Sequence, residues 1–356
     1  MKNLITYRLK ILLFSLNKFD GERSSSGLFH LLRGKKSSQT IQDGQLFELS
    51  FLFGTMPRYI RSRFEQDIQQ LIEKGYVQMK LERDGHLIVT QKGKEVVSLF
   101  ERSEIFPNGL DGWQYNNIGS VFWERFSLLI QSISNLVIEQ SNFIPVSRNE
   151  EVFRWSKNWF QQTGLQKKEL ADMLHKECHE ILSTIPDVQS DIFLLRLSAS
   201  HRYGLTFQQI GEYTSVGEDG ARYLFQAALH QFVRMIRMSE MRTSLLYTLI
   251  RDQHNEVPLT NSTRKTFNLF EQGRTIEEIA HIRNLKLSTI EDHFIEIALN
   301  DPSFSTEPFI SDEIAQSVLQ LYHSMQTKRM KPIKEQLNDD VSYFQIRLII
   351  AKGERR

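Results

Sequence analysis

Apolar residues recur with a helical period over residues 262–299, and polar residues mark the ends of each helical stretch. Thr275 and Ser288 each precede a glutamate by three positions, which is the capping-box pattern of a helix start. Gly273 can end an earlier helix in the left-handed conformation. The three predicted helices share an apolar face, expected to form a core, that comprises Ile276, Ile279, Ala280, Leu285, Ile290, Phe294 and Ile297. The pattern predicts a helix-turn-helix with its turn at residues 283–286.

The first 103 residues combine helical periodicity with one short alternating segment. Pro57 opens a long predicted helix, at a position where its missing amide does no harm. Residues 76–81 and 87–90 then predict two short strands around an Asp-Gly turn. A helix, a two-stranded wing and a final helix in this order resemble a winged helix, so residues 1–103 are predicted to form a winged-helix-like domain.

Shifts in composition divide the rest of the chain. Residues 104–119 are rich in proline, glycine and asparagine and predict a linker. Residues 120–251 show only helical patterns, and residues 252–261 form a second, polar linker that contains proline. The sequence therefore predicts a mainly α, multidomain protein with domains at 1–103, 120–251 and 262–356. It would combine a winged helix, with a small two-stranded wing, and tri-helical helix-turn-helix units.

The middle domain contains a second helix-turn-helix pattern. Thr206 and Gln209 form a capping box, and a helical pattern continues through residues 221–229. This segment weakly resembles the promoter-reading region of sigma factors. Gly217 and Gly220 stand where that family prefers a helix cap and a β-branched core residue, and this departure argues against a DNA-reading role more than against the fold.

The C-terminal motif carries a more specific resemblance. The stretch that begins at Ser262, together with residues 329–337 and 341–349, resembles the helix-turn-helix module at the C-terminus of many bacterial RecQ-type DNA helicases. The whole chain resembles a Gram-positive bacterial family of helix-turn-helix proteins encoded beside a RecQ-type helicase that lacks this tail. The resemblance implies a split system, with the accessory module on its own polypeptide and with DNA and a RecQ-type helicase as partners.

Composition and charge narrow the class of protein. Hydrophobic residues make up 40% of the 356 residues and charged residues 24%, as in globular proteins. The net charge of +1 excludes a basic field over the whole molecule, so any contact with nucleic acid has to come from a local patch. A single cysteine, Cys178, excludes a disulfide framework within the chain and suits a reducing cytosol. Because no uninterrupted apolar run approaches about eighteen residues, we expect a cytoplasmic protein, nucleoid-associated where it binds DNA, with no membrane partner.

Two local basic segments are candidate DNA-binding sites. The first 40 residues carry eight basic and two acidic side chains, and no acid lies between Pro57 and Phe64. In a winged helix, the helix that begins there enters the major groove. The predicted DNA-binding residues are Lys35, Lys36, Arg58, Arg61 and Arg63 in this region and Lys331, Lys334 and Arg347 in the basic C-terminal tail. A solvated basic face is an equally simple explanation of the same charges.

The second helix of the C-terminal motif carries acidic side chains where a DNA-reading helix carries basic ones. Asp292 and Glu296 lie on it, and residues 288–297 contain no lysine or arginine. Carboxylates repel DNA phosphates, and neutralised phosphates supply most non-specific affinity. We therefore expect the motif to keep its shape without reading DNA through that helix, with Asp292 and Glu296 exposed as partner-binding residues.

Patterns of catalytic or metal chemistry are weak in this sequence. His175, Cys178 and His179 lie close together but lack the fourth ligand of a structural zinc site. The Gly-Lys pair at residues 34–35 lacks the first glycine of a phosphate-binding loop. We expect no catalytic residue, cofactor, metal or small-molecule substrate, and the protein is predicted not to be an enzyme.

Three functions fit these patterns. The first is a non-catalytic accessory protein of a RecQ-type helicase, which binds DNA, the helicase or both in recombination and repair. The second is a protein–protein adaptor whose helix-turn-helix folds are vestigial. The third is a DNA-binding transcription regulator, which would require sequence-specific binding, usually as a symmetric dimer.

Overall fold

The computed structural model describes residues 5–80, 85–140, 142–253, 258–325, 330–338 and 340–353. These residues form eighteen α-helices and one two-stranded antiparallel sheet, which confirms the predicted mainly α class. They divide into two compact units. Unit 1 comprises the described residues of Met1–Phe14 and Thr90–His254, and unit 2 those of Ser15–Val89 and Asn255–Arg356.

The elements follow one another in three groups along the chain. The first group is α1 (Tyr7–Phe19), α2 (Ser25–Arg33), α3 (Ser38–Leu46), α4 (Arg61–Glu73), β1 (Val77–Met79), β2 (Leu87–Val89) and α5 (Gln91–Glu101). The second is α6 (Gly112–Val137), α7 (Glu150–Thr163), α8 (Lys167–Leu182), α9 (Asp187–Leu195), α10 (Phe207–Tyr213), α11 (Gly217–Ile236) and α12 (Leu245–Thr248). The third is α13 (Asn261–Glu271), α14 (Ile276–Arg283), α15 (Leu287–Asn300), α16 (Asp312–Met325), α17 (Met330–Glu335) and α18 (Tyr343–Gly353).

Each unit joins segments that are far apart in the sequence, whereas the predicted domains are continuous segments. One predicted linker is also partly helical, because α6 begins at Gly112, inside residues 104–119. The cause is local: the Asp111 carboxylate accepts a hydrogen bond from the Gln114 amide at 3.1 Å and caps the helix. The predicted domain boundaries stay a prediction.

The predicted helix, wing and helix follow one another as α4, β1–β2 and α5. The two strands pair in antiparallel register, with Val77 opposite Val89 and Met79 opposite Leu87. Asp84 of the predicted turn lies outside the described residues, and Gly85 has a φ of 70°, which favours glycine. The order typical of a winged helix is therefore confirmed.

The C-terminal helix-turn-helix consists of α13, α14 and α15. Thr275 and Glu278 form the predicted capping box of α14, and Gly273 has a φ of 81°, as predicted. Asn284, with a φ of 50°, then ends α14 in the left-handed conformation. The capping box predicted at Ser288 is wrong, because α15 has already begun at Leu287, directly after the turn.

The core of unit 2 lies around α15. Ile279 and Phe294 are fully buried, which confirms their predicted core positions. The Phe294 ring packs against Phe270 at 4.9 Å and Phe309 at 5.0 Å between centroids. Helices α3, α13 and α18 all contact α15, so residues 38–46 from the N-terminal region complete the core of the C-terminal motif.

The core of unit 1 is an aromatic cluster between α6, α9 and α11. The Phe193 ring stacks on Phe232 at 5.0 Å between centroids, and Phe122 and Phe126 lie beside it, fully or almost fully buried. Thr206 forms the predicted capping box of α10, which begins the second helix-turn-helix.

Candidate nucleic-acid interface

Four basic side chains come together in unit 2, at the end of α2 and the start of α4. They are His30, Arg33, Lys35 and Arg61. Burial lowers the pKa of His30, and the positive charges of Lys35, Arg61 and Arg33 lower it further. The His30 imidazole is thus held in a positive potential produced by three cations, which lie on α2, directly after α2 and on α4. We call these four residues the α2–α4 cluster.

An aromatic ring positions two of the guanidinium groups in this cluster. Arg61 lies over the Phe29 ring at 5.1 Å and Arg33 lies over it at 5.6 Å. Arg61 also donates hydrogen bonds to the Ser26 hydroxyl at 3.0 Å and to the Glu65 carboxylate at 2.7 Å, and Arg33 donates one to the Pro57 carbonyl at 3.4 Å. Because Phe29 is buried, the ring offers both arginines a fixed surface on which to stack.

The other predicted cations of this region differ in their contacts. Arg58 is exposed, in the loop before α4. Arg63 is exposed too, but its Nε lies 3.6 Å from the carboxylate of Asp67, which is buried and accepts a hydrogen bond from the Tyr59 hydroxyl at 2.5 Å. Lys36 is exposed, and its charge lowers the pKa of Glu296. Arg61 is therefore the predicted cation that belongs to the α2–α4 cluster together with Lys35.

The predicted cations of the C-terminal tail contact acceptor groups within unit 2. The Lys331 ammonium lies 3.9 Å from the Glu335 carboxylate, and Lys334 donates a hydrogen bond to the Asn338 carbonyl at 3.2 Å. Arg347 pairs with Asp292 and donates a hydrogen bond from Nε to Gln42 Oε1 at 3.3 Å. Arg347 thus holds α18 against α15 and α3.

The acidic side chains of α15 do not lie where the sequence indicated. The prediction that Glu296 is exposed is wrong: it is 4% exposed and accepts hydrogen bonds from Thr260 and Thr263. Asp292 is only partly exposed, because it pairs with Arg347. Amides and hydroxyls can compensate a buried carboxylate as well as a cation does, and sequence charges do not show them. Glu296 has no exposed surface with which to bind a partner.

Burial also changes the pKa of this carboxylate. It raises the pKa of Glu296, whereas the hydrogen bonds from Thr263 and Thr260 and the charge of Lys36 lower it. The second half of α15 is buried as a whole, and its first turn, with Lys286, Leu287 and Ser288, is exposed.

The second helix-turn-helix is also covered at the helix that would read DNA. In unit 1, Arg8 of α1 pairs with Asp219 in the first turn of α11 at 2.5 Å. The Tyr7 ring lies so close to Gly220 that an added Cβ would be 2.9 Å from it. The glycine that departs from the sigma-factor pattern therefore makes room for α1.

Sequence reasoning missed two members of the α2–α4 cluster, His30 and Arg33. Arg33 contributed to the count of basic residues, but the shared contact with Phe29 joins α2 to α4 and has no signature in the sequence.

The segment with His175 and His179 shows two stacked rings with centroids 6.3 Å apart. Burial raises the pKa of the Cys178 thiol to about 12, and the described residues contain no group of three metal-ligating side chains.

The comparisons with known proteins agree with this architecture. A family model described as a helix-turn-helix domain matches residues 262–350. The chain is 34% identical over 337 residues to Protein YpbB of Bacillus subtilis (strain 168), and the match covers 95% of both chains. The chain belongs to the YpbB family. The relationship to YpbB extends over both units, which confirms the predicted family, and the helix-turn-helix domain is typical of DNA-binding proteins.

No solved structure matches this YpbB-family chain. Within the residues that the structure describes, helices that combine the length and the apolar character needed to cross a membrane are absent.

Proposed function

We propose that this YpbB-family protein is a non-catalytic accessory factor of a RecQ-type DNA helicase, and that it binds DNA in recombination and repair. The observation that carries the DNA-binding part is the α2–α4 cluster, in which Arg33 and Arg61 share the Phe29 ring and, together with Lys35, act electrostatically on His30. The cluster is local, as the net charge of +1 requires. Phosphate groups are the ligands that such a cluster of cations fits best.

The position of the cluster supports contact with duplex DNA. It lies at the first turn of α4, the helix that precedes the two-stranded wing, and that turn contains no acidic residue. In related helix-turn-helix folds, the first turns of this helix reach phosphates and base edges. The free amides at its N-terminus add a favourable partial positive charge.

The helicase part of the proposal rests on the resemblance of residues 262–350 to a tail that many RecQ-type helicases carry covalently. The described contacts support a division of work. The second half of α15 is packed in the core of unit 2, so DNA binding falls to the α2–α4 cluster, and the C-terminal motif is left for a protein partner.

The DNA-binding part is tested by the salt dependence of duplex binding. The affinity for duplex DNA falls as the salt concentration rises. We expect the triple variant Arg33→Ala, Lys35→Ala and Arg61→Ala to make this log–log dependence less steep by about 0.9 for each lost phosphate contact. The matched control removes three exposed cations of unit 1 by Lys157→Ala, Lys167→Ala and Lys168→Ala. An equal loss of slope in both variants, or no loss in the first, would contradict the assignment.

The two remaining predicted cations of α4 refine this test. Arg58→Ala should weaken duplex binding more than Arg61→Ala does, because Arg58 is exposed, whereas the Arg61 guanidinium lies 2.7 Å from the Glu65 carboxylate. Arg63→Ala should weaken it less, because Asp67 already lies 3.6 Å from the Arg63 guanidinium.

The helicase part needs a separate measurement. The full-length protein and a purified RecQ-type helicase that lacks the C-terminal tail should associate after nuclease treatment. Intact DNA binding without this association would refute the accessory role alone. A second candidate, a protein–protein adaptor, is favoured by the coverage of both α11 and α15. It becomes the better assignment if the natural chain does not bind duplex DNA.

A further inference from the structure

A groove lined by both apolar and charged side chains lies in unit 2 at the first turn of α15. Its volume is about 630 Å³, and it is built entirely from the helix-turn-helix domain. The aromatic part of its lining is a row of three rings: Phe309 stacks on Phe270 at 5.7 Å and meets Phe344 edge-on at 5.8 Å. Ile276 and Leu287 continue the apolar lining. We call this feature the α15 groove.

The apolar side chains of the α15 groove are open to solvent at one edge. Leu287 is 44% exposed, although it is the first residue of α15. In DNA-reading helix-turn-helix proteins, the first residues of this helix contact base edges, which are polar. An exposed leucine above a row of aromatic rings fits an apolar side chain instead.

The charges around the α15 groove are mainly negative. Glu277 and Glu291 line it. Burial raises the pKa of Glu291, and the charge of Arg347, which pairs with Asp292, acts in the opposite direction. Arg274 also lines it, but its guanidinium lies 3.8 Å from the Glu278 carboxylate, which offsets its charge. Two carboxylates therefore remain beside the apolar lining, and they repel phosphate groups and attract ammonium or guanidinium groups.

We propose that the α15 groove is a docking site for a partner protein, which lays one large apolar side chain against the aromatic rings and Leu287 and places lysine or arginine against Glu277 and Glu291. Such an arrangement is that of a protein-binding site, with an apolar anchor in a pocket and complementary charges at the rim. The site is separate from the α2–α4 cluster, and the inference does not depend on DNA binding or on the identity of the helicase.

The test uses full-length protein with labelled isoleucine and leucine methyl groups, observed by NMR. The probes are synthetic peptides of about twelve residues in which Leu, Phe, Trp or Met stands between lysines, and matched peptides with glutamate for each lysine. We expect at least one lysine peptide to shift the methyl signals of Ile276 and Leu287, and to bind about tenfold more tightly than its glutamate version. The methyl signals of Leu99, which is exposed in unit 1, should not move.

Two variants separate the groove from the surrounding surface. Leu287→Ala with Glu277→Lys changes two exposed side chains of the groove and should weaken peptide binding by about tenfold. Ile282→Ala with Glu271→Lys makes the same types of change at exposed positions outside the groove and should leave binding unchanged.

Three results would overturn the proposal. The first is the absence of any shift with all lysine peptides up to about 1 mM. The second is a shift of the Ile276 and Leu287 signals by duplex DNA at low salt, which would make the groove a DNA-binding surface. The third is a shift of the same signals with protein concentration alone, which would make a second copy of the chain the occupant.

Discussion

The Glu296 carboxylate accepts a hydrogen bond from the backbone amide of Thr260, 36 positions earlier, at 2.5 Å. Thr260 is the N-cap of α13, and its own side chain accepts from the Thr263 amide. Glu296 also accepts from the Thr263 hydroxyl at 2.6 Å. A carboxylate at this place satisfies donors that a helix leaves free at its N-terminus, so α15 stabilises the start of α13 from outside that helix.

The first prediction follows from these hydrogen bonds. Glu296→Ala should lower the free energy of unfolding by about 1–3 kcal/mol, because it leaves the Thr260 amide and the Thr263 hydroxyl buried without an acceptor. Glu296→Gln should cost less, since its amide oxygen can still accept one bond. Urea denaturation measures both, with Glu277→Ala as the exposed control, expected within about 0.5 kcal/mol of the natural chain. An unchanged free energy of unfolding in Glu296→Ala would show that the network does not stabilise the fold.

The second prediction concerns the aromatic core of unit 2. Phe294→Ala should lower the free energy of unfolding by roughly 3–5 kcal/mol, because the ring is fully buried against Phe270 and Phe309. Ile282→Ala is the control on the same domain, since Ile282 is 54% exposed. The measurement is again the midpoint of urea denaturation, compared at an unchanged dependence of the free energy of unfolding on urea concentration. If both variants unfold at the same urea concentration, the Phe294 ring of α15 does not stabilise the core of unit 2.

The helix-turn-helix could be read from the sequence because its signals are local. Thr275 and Glu278 stand three residues apart, and the apolar positions that include Ile279 and Phe294 repeat with the helical period. The capping-box pattern at Ser288 places the start of α15 two residues too late, because Leu287 directly after the turn can begin a helix without a side-chain cap. Neighbouring residues were sufficient for these elements.

The parts that could not be predicted all depend on contacts between distant segments. The partner of Arg347 is Asp292, and its second contact, Gln42, lies 305 positions away. The donors that compensate Glu296 are an amide and hydroxyls, which no charge pattern shows. The basic residues of the N-terminal region were identified by composition, but their grouping depends on Phe29, which only the packing of α2 beside α4 reveals.

The third prediction is a loss of stability at mildly acidic pH through His293. Burial, and then the charge of Arg283, lower the pKa of His293 to about 4, while Asp292 acts in the opposite direction. The unfolded chain binds a proton near pH 6.5 and the folded chain does not, so stability is complete above that pH and falls as the pH decreases towards 4. The loss should reach about 2 kcal/mol between pH 7 and pH 5.

His293→Gln isolates this effect, because glutamine does not titrate. Its free energy of unfolding should depend less on pH over the same interval, even if its stability at pH 7 is lower. Glu296 and His230 remain as a background in both proteins. Burial raises the pKa of Glu296, so its protonation stabilises the fold as the pH falls, and burial lowers the pKa of His230 to about 3, which acts in the same direction as His293. Equal pH dependence in the two proteins would exclude His293 as the cause.

The fourth prediction concerns removal of the C-terminal region after Gln253, within the predicted linker. Unit 2 contains α3 from the N-terminal region, which packs against α15 and α18. Without these helices, α3, which carries the buried residues Ile41 and Leu46, loses two of the helices against which it packs. The amides of α3 should therefore exchange with deuterium much faster in the shortened chain, whereas those of α10 in unit 1 should not change. Equal protection of α3 in both chains would show that residues 15–89 fold independently of the C-terminal motif.

The last prediction uses His30 as a reporter of DNA at the α2–α4 cluster. In the free protein, burial and the charges of Lys35, Arg61 and Arg33 lower the pKa of His30. A DNA phosphate bound there would offset these charges, so duplex DNA should raise the pKa of His30 in an NMR titration. By linkage, binding then takes up protons and becomes tighter as the pH falls through the range in which His30 titrates. In Arg61→Ala, the pKa of His30 in the free protein should be higher and the rise on DNA binding smaller. The signal of His201, exposed in unit 1, serves as the control and should not change with DNA. If duplex DNA binds and the pKa of His30 stays the same, the DNA lies elsewhere, because a phosphate near three cations cannot leave the imidazole between them unaffected.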